Sequence, residues 1–246
     1  MAEIPDGLVE LRSVLSLRQI MSLIEATARW APPEAFSLLP VWFPEYSRGQ
    51  LLYKGNWSEA QTNTKRSTGH TAHKSEANVY ASKALTLALG LSQKQRTNWS
   101  CCHIWGIDDP TYQRSNLVVQ DRRFFSCIGN MVLLPTPLKA FTDAMPEVKA
   151  MLRICAHHLY GWRCDHEDLL GTHKVLDGWQ DWDSYPSSWP RAPREKKPLG
   201  VVEFSPTIAV SAERRITQIM YDLGHAGNYY PRDEVKAALD YWKMSL

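Results

Sequence analysis

Between Asn98 and Asp143 the chain gathers side chains that can exchange a proton or hold a cation. They are the thiol of Cys102, the imidazole of His103, the amide of Asn130 and the carboxylates of Asp108, Asp109, Asp121 and Asp143, with Lys139 close to the end. An imidazole changes charge near neutral pH, which suits proton transfer, and carboxylates are the hard oxygen donors that Mg²⁺ takes. Cys102-His103-Ile104 closes a short run, a polar loop follows, and Gly129-Asn130-Met131-Val132-Leu133-Leu134 ends apolar. That apolar run reads as a buried strand, and Pro135 and Pro137 forbid a ladder just beyond it. A helix is expected next. His103 would then leave one strand and Asn130 would enter another. A histidine beside apolar residues is by itself more often a core side chain than a reactive one, so the weight falls on the combination.

A histidine after one strand, a Gly-Asn-apolar-Leu-Leu segment opening a second, and a helix behind it resemble the HNH nucleases, whose core is two strands and a helix around one metal ion. The resemblance is confined to the stretch from Asn98 to Asp143. It implies that His103 is the general base that takes a proton from the attacking water, and that Asn130 holds the intervening loop and so orients the base. It also implies a divalent cofactor, Mg²⁺ or Mn²⁺, and DNA as the partner. Two positions depart from the pattern. The residue before the base, normally an Asp, Glu or His on the metal, is Cys102, a soft thiol. The ligand position on the first turn of the helix holds Lys139, which has no lone pair while protonated. Asp143 follows four residues later, one turn on along the same helical face, and is taken as the carboxylate ligand. Asp109 is taken as a further ligand beside Cys102, with Asp108 and Asp121 as alternatives. Capping or solvated aspartates are the competing reading of each.

The whole chain, 246 residues with 44% hydrophobic and 22% charged, has the composition of a soluble globular protein long enough for one large domain or two small ones. A net charge of +2 does not advertise nucleic acid, so any DNA affinity must come from local patches. No apolar run approaches the length of a membrane span, and the first residues carry no basic segment followed by an apolar one. The expectation is a cytoplasmic chain without membrane contact. Five cysteines in that setting point to thiols or metal ligation over disulfides. None of Cys101, Cys102, Cys127, Cys155 and Cys164 falls into a Cys-x-x-Cys pair, which counts against a structural Zn²⁺.

The elements around this centre follow from periodicity. Leu8 to Ala28 repeats apolar residues at three- and four-residue steps, an amphipathic helix broken near Ser16 and ended by Ala31-Pro32-Pro33. The aromatic and proline-rich run to Tyr46 reads as irregular chain. Gln61 to Lys74 has no large apolar residue and reads as a surface loop, in which Lys65, Arg66 and Lys74 could meet phosphates, as could Lys139. A helix is expected from Ser75 to Gly90 and another from Pro146 to Tyr160, the latter ending at His157 and His158 with Cys164, Asp165 and His166 soon after, a second candidate metal cluster. Leu169 to Pro198 reads as a long connection with a basic end, Val201 to Val210 as a short strand, and Ala212 to Leu223 and Pro231 to Met244 as closing helices. The expected organisation is a helical region over 1–97, an HNH-like core with its packing helix over 98–165, and a Trp- and Pro-rich connection with C-terminal helices over 166–246. The fold class is α+β, a mostly helical scaffold around a small ββα-metal core. The functional expectation is a metal-dependent DNA endonuclease. The alternative, motivated by Cys102 and Lys139, is a non-cleaving nucleic-acid-binding or assembly subunit that could act with other protein subunits.

Overall fold

Helix α1 (Gly7–Val14) stops where Ser16 begins a new one, α2 (Leu17–Thr27). The Ser16 N–H donates to Gln19 Oε1 at 2.9 Å and the Gln19 N–H to Ser16 Oγ at 3.3 Å, a reciprocal cap that starts a helix at its own angle. The computed structural model describes residues 4–48, 57, 78–106 and 117–244, together with the backbone of four short strands between 53 and 73. Ile20, Met21 and Ile24 give α2 its buried face. Arg29 and Trp30 are then extended. Arg29 exchanges backbone hydrogen bonds of 2.9 and 3.0 Å with Leu133, and Trp30 pairs with Val201. Gly200 makes that second approach possible: its φ is +81°, and a Cβ there would sit 1.9 Å from the Ala28 carbonyl oxygen.

The run after Pro32 is not irregular throughout, because Pro33 opens a short helix, α3 (Pro33–Leu38), that buries Ala35 and Phe36. Strands β1 (Tyr53–Lys54) and β2 (Glu59–Ala60) pair antiparallel, as do β3 (Thr62–Thr64) and β4 (Thr71–His73). The segment expected to be a plain loop over 61–74 thus carries a hairpin backbone. Lys65, Arg66, His70 and Lys74 lie outside the described residues. Helix α4 (Asn78–Ala88) ends at Gly90, whose φ is +65°.

Strands β5 (Trp99–His103) and β6 (Met131–Pro135) form an antiparallel pair in which His103 faces Met131 and Cys102 faces Val132. Every residue of β6 before Pro135 is buried. Two helices follow directly, α5 (Lys139–Ala144) and α6 (Pro146–Tyr160), the second closed by Gly161 in the left-handed region. Leu169 to Pro198 is not all connection, since α7 (Leu170–Asp177) occupies its start. Val201 contributes a single bridge rather than a strand. Ser205 caps a helix that begins at Pro206 and continues as α8 (Pro206–His225). The chain closes with α9 (Arg232–Tyr241).

The class is α+β, helices around small two-stranded antiparallel sheets. One contiguous apolar core runs through the regions expected over 1–97, 98–165 and 166–246. Its C-terminal part reaches the central loop, where Trp242 Nε1 donates to the Arg123 carbonyl at 3.0 Å. No helix among the described residues is long and apolar enough to cross a membrane.

Candidate functional site

Strand alternation sends Cys101 and His103 to one face of β5 and Cys102 to the other. The half-buried ring of His103 lies against Phe125, centroids 5.6 Å apart, and its Nε2 is 2.8 Å from the Phe125 carbonyl oxygen. A carbonyl can only accept, so Nε2 carries the hydrogen and Nδ1 keeps its lone pair. Burial pushes the imidazole pKa down to about 4, opposed by the Phe125 hydrogen bond and reinforced by the charges of Arg48, Lys149 and Lys139. His103 is therefore neutral at pH 7.

The loop between the strands is drawn in by Asn130, which is fully buried. The Trp105 N–H donates to Asn130 Oδ1 at 2.7 Å, and Asn130 Nδ2 donates to the Phe124 carbonyl at 3.1 Å. The Ile104 N–H donates to the Asn130 carbonyl at 3.0 Å, so one residue ties the exit of β5 to the entry of β6. Arg153, from α6, reinforces the same turn with bonds of 2.7 Å to the Ile104 carbonyl and 2.8 Å to that of Gly106. These bonds hold the backbone on both sides of the His103 ring.

The candidate metal ligands are less well placed. Cys102 is 3% exposed, and burial raises its thiol to about 11 despite the charges of Lys139 and Lys149 and a hydrogen bond from Thr142, so it is no thiolate at pH 7. Asp143 does lie one turn after Lys139 on the same face, but the two form an ion pair with each other, and Asp143 holds the Lys139 ammonium charged. Asp121 is bound by the Arg123 guanidinium through contacts of 2.6 and 3.1 Å. Asp108 and Asp109 lie outside the described residues. Among the described residues no three His, Cys, Asp or Glu side chains come together as a metal would need. A neutral thiol, a carboxylate engaged by lysine and three nearby cations do not fit a divalent ion. They suit an anion.

The second candidate cluster disperses as well. His166 Nδ1 accepts the Asp168 N–H at 3.2 Å, and His173 Nε2 donates to the Cys164 carbonyl at 2.7 Å. The five cysteines are free thiols. Burial raises Cys164 to about 12 and pushes Cys101, Cys127 and Cys155 up too.

Sequence reasoning passed over Arg48, Lys149 and Arg153, whose places near His103 depend on long-range packing. It also passed over Glu45, a 2% exposed carboxylate that pairs with Arg215 across the fold. The one local sign of Glu45 was an acidic residue inside a run of aromatics. Compared with models of known families, with curated proteins and with solved structures, the chain finds no match.

Proposed function

We propose that the protein binds nucleic-acid phosphate beside His103 and hydrolyses the phosphodiester bond of DNA, as the HNH resemblance implies. The observation that carries this reading is the state of His103: a neutral ring, fixed by the Phe125 carbonyl, with its proton on Nε2 and its lone pair on Nδ1. In the proposed step Nδ1 takes a proton from water as the water oxygen bonds to phosphorus. The bond to the leaving oxygen breaks, and that oxygen is protonated from solvent. Exposed Arg48 and Lys139 and the more deeply set Lys149, whose charges act on His103, would offset the negative charge that the phosphorane gains. No step is assigned to a divalent ion, because the described donors do not fit one.

The second reading, a subunit that binds nucleic acid without cutting it, draws on that same lack of ligands and on the Lys139–Asp143 pair. Supercoiled plasmid distinguishes the two when incubated with pure protein in Mg²⁺, in Mn²⁺ and in EDTA. The hydrolase reading expects nicked and linear products that disappear in the His103→Ala variant. Retarded but uncut plasmid in all three conditions is the outcome of the binding subunit. Products in EDTA would assign cleavage to the protein's own groups, and products only with metal would place ligands outside the described residues.

A further inference from the structure

A cavity of about 340 Å³ opens between the 43–46 segment, Trp57, α4 and α8. At its lining lies Glu45, 2% exposed. One carboxylate oxygen, Oε1, receives the Arg215 guanidinium, while Oε2 is buried with no hydrogen-bond donor among the described residues. Arg215 is held on two further sides: its Nε donates to the Trp42 carbonyl and its guanidinium lies 4.2 Å from the centroid of the Phe43 ring. The guanidinium thus balances the carboxylate charge without satisfying its second oxygen. What Glu45 Oε2 lacks among the described residues is a donor, not a second full cation. Its walls are flat. Tyr46 and Tyr80 stack at 3.4 Å with 7° between planes, Trp57 lies 5.1 Å from Tyr46, and Tyr221 stacks on His225 at the mouth.

We propose that this cavity binds a nucleobase carrying an exocyclic amino group, the amino N–H donating to Glu45 Oε2 and the ring lying against the aromatic wall. A carboxylate accepts well from such amino groups, and aromatic side chains stack on any base. The volume lies in the range of small-ligand sites. A quaternary ammonium would also suit aromatic walls, but it has no N–H and would leave Oε2 without a donor. The proposal stands apart from cleavage at His103, since it concerns binding of a free base.

Titration of the full-length chain with mononucleosides, read by calorimetry and by saturation transfer to the ligand ring protons, tests it. Cytidine with uridine and adenosine with inosine form two pairs in which an amino group is exchanged for a carbonyl. The amino member of each pair is expected to bind at least about tenfold more tightly, because the carbonyl would face an unpaired carboxylate oxygen. Glu45→Gln should remove that preference. Because Glu45→Gln also leaves Arg215 without its partner, a second variant is needed that leaves the buried pair intact. Ala226→Phe, at the half-buried end of α8 where Ala226 lines the cavity, should abolish binding by filling it. Equal affinity within both pairs, no saturation transfer to any amino nucleoside, undiminished binding by Ala226→Phe, or displacement of both nucleosides by tetramethylammonium at lower concentration would each overturn the proposal.

Discussion

Two regions of this molecule hang on a single buried polar side chain, and they use it in opposite ways. Asn130, fully buried, spends its amide on both sides: the oxygen accepts from Trp105 and the nitrogen donates to Phe124. Glu45, 2% exposed, spends one oxygen on Arg215 and leaves the other without a donor among the described residues. A buried polar group with its valences closed rigidifies its surroundings, whereas one left open is unstable until something completes it. The first region therefore reads as a clamp that positions His103, and the second as a receptor. The two are neighbours through one segment. The Glu45 carbonyl accepts from Arg122, and Arg48, three residues on, is among the charges that act on His103.

The largest effect that could break this contrast is at His103. If the clamp serves a general base, His103→Ala should reduce plasmid cleavage by about 10²- to 10⁴-fold. Its stability should fall by about 1–3 kcal/mol, because the buried Phe125 carbonyl loses its donor. Cleavage within a fewfold of the parent would show that the clamp holds a core histidine and nothing more.

Next comes the clamp itself. Asn130→Ala strands a buried N–H and a buried carbonyl, for a loss of about 2–6 kcal/mol in urea unfolding, at about 1–3 kcal/mol for each unpaired group. Asn130→Asp keeps the acceptor for Trp105 but sets a carboxylate oxygen against the Phe124 carbonyl, so it should fall between parent and alanine. A loss under about 0.5 kcal/mol for Asn130→Ala would mean that the loop is held by Arg153 and its packing.

The pH dependence of stability sharpens the comparison further. His103 titrates near 6.5 in an unfolded chain and at about 4 in the folded one, so below pH 6.5 the unfolded state binds the proton more readily. Its contribution is complete above pH 6.5 and is lost as the pH falls towards 4, by at most about 3 kcal/mol. Glu45 is shifted up by burial against the opposing charge of Arg215, so its ionised form is the one that folding disfavours. The difference between parent and His103→Ala unfolding curves from pH 7 to pH 4 isolates the histidine. Parallel curves would contradict the buried neutral imidazole.

The smallest effect belongs to the exposed pair on α5. Lys139→Ala and Asp143→Asn should each change stability by under about 1 kcal/mol, because both side chains are about half exposed and solvent screens the pair. Their effect on cleavage carries more information. Should Asp143→Asn impair metal-dependent cutting far more than Lys139→Ala, with recovery at high Mn²⁺, the carboxylate leaves Lys139 to hold an ion, as the sequence reading expected. Should Lys139→Ala be the damaging change, the ammonium serves a phosphate.

Local chemistry determined much of the frame. The apolar Met131–Leu134 run read as a buried strand, and it is β6, which continues one residue past the expected stop to Pro135, opposite Trp99. Ser16 with Gln19 three residues on broke the first helix where a capping box requires, and Gly90 and Gly161 ended α4 and α6. Where local signals competed, the reading failed. Val201, Val202 and Val210 suggested a strand, but Ser205 capping Pro206 starts α8 inside that span, since a satisfied helix terminus outweighs β-propensity. Leu170 to Asp177 offered no clean periodicity because only Leu176 is buried, yet it forms α7.

The site was legible as a set of residue types and not as a set of states. Sequence placed His103 at the end of a strand and Asn130 at the start of its partner; His103 is there, and Asn130 closes a 3-10 turn immediately before the partner strand begins at Met131. That Nε2 holds the proton, that Cys102 stays a thiol and that Asp143 faces Lys139 depend on burial and on neighbours that no spacing reports. The Glu45–Arg215 pair joins residues 170 positions apart, and Arg153 reaches the His103 turn from 49 positions away. Electrostatic and hydrogen-bond energies depend on distances in space and on the local exclusion of water, quantities that exist only once the helices have closed around the sheet.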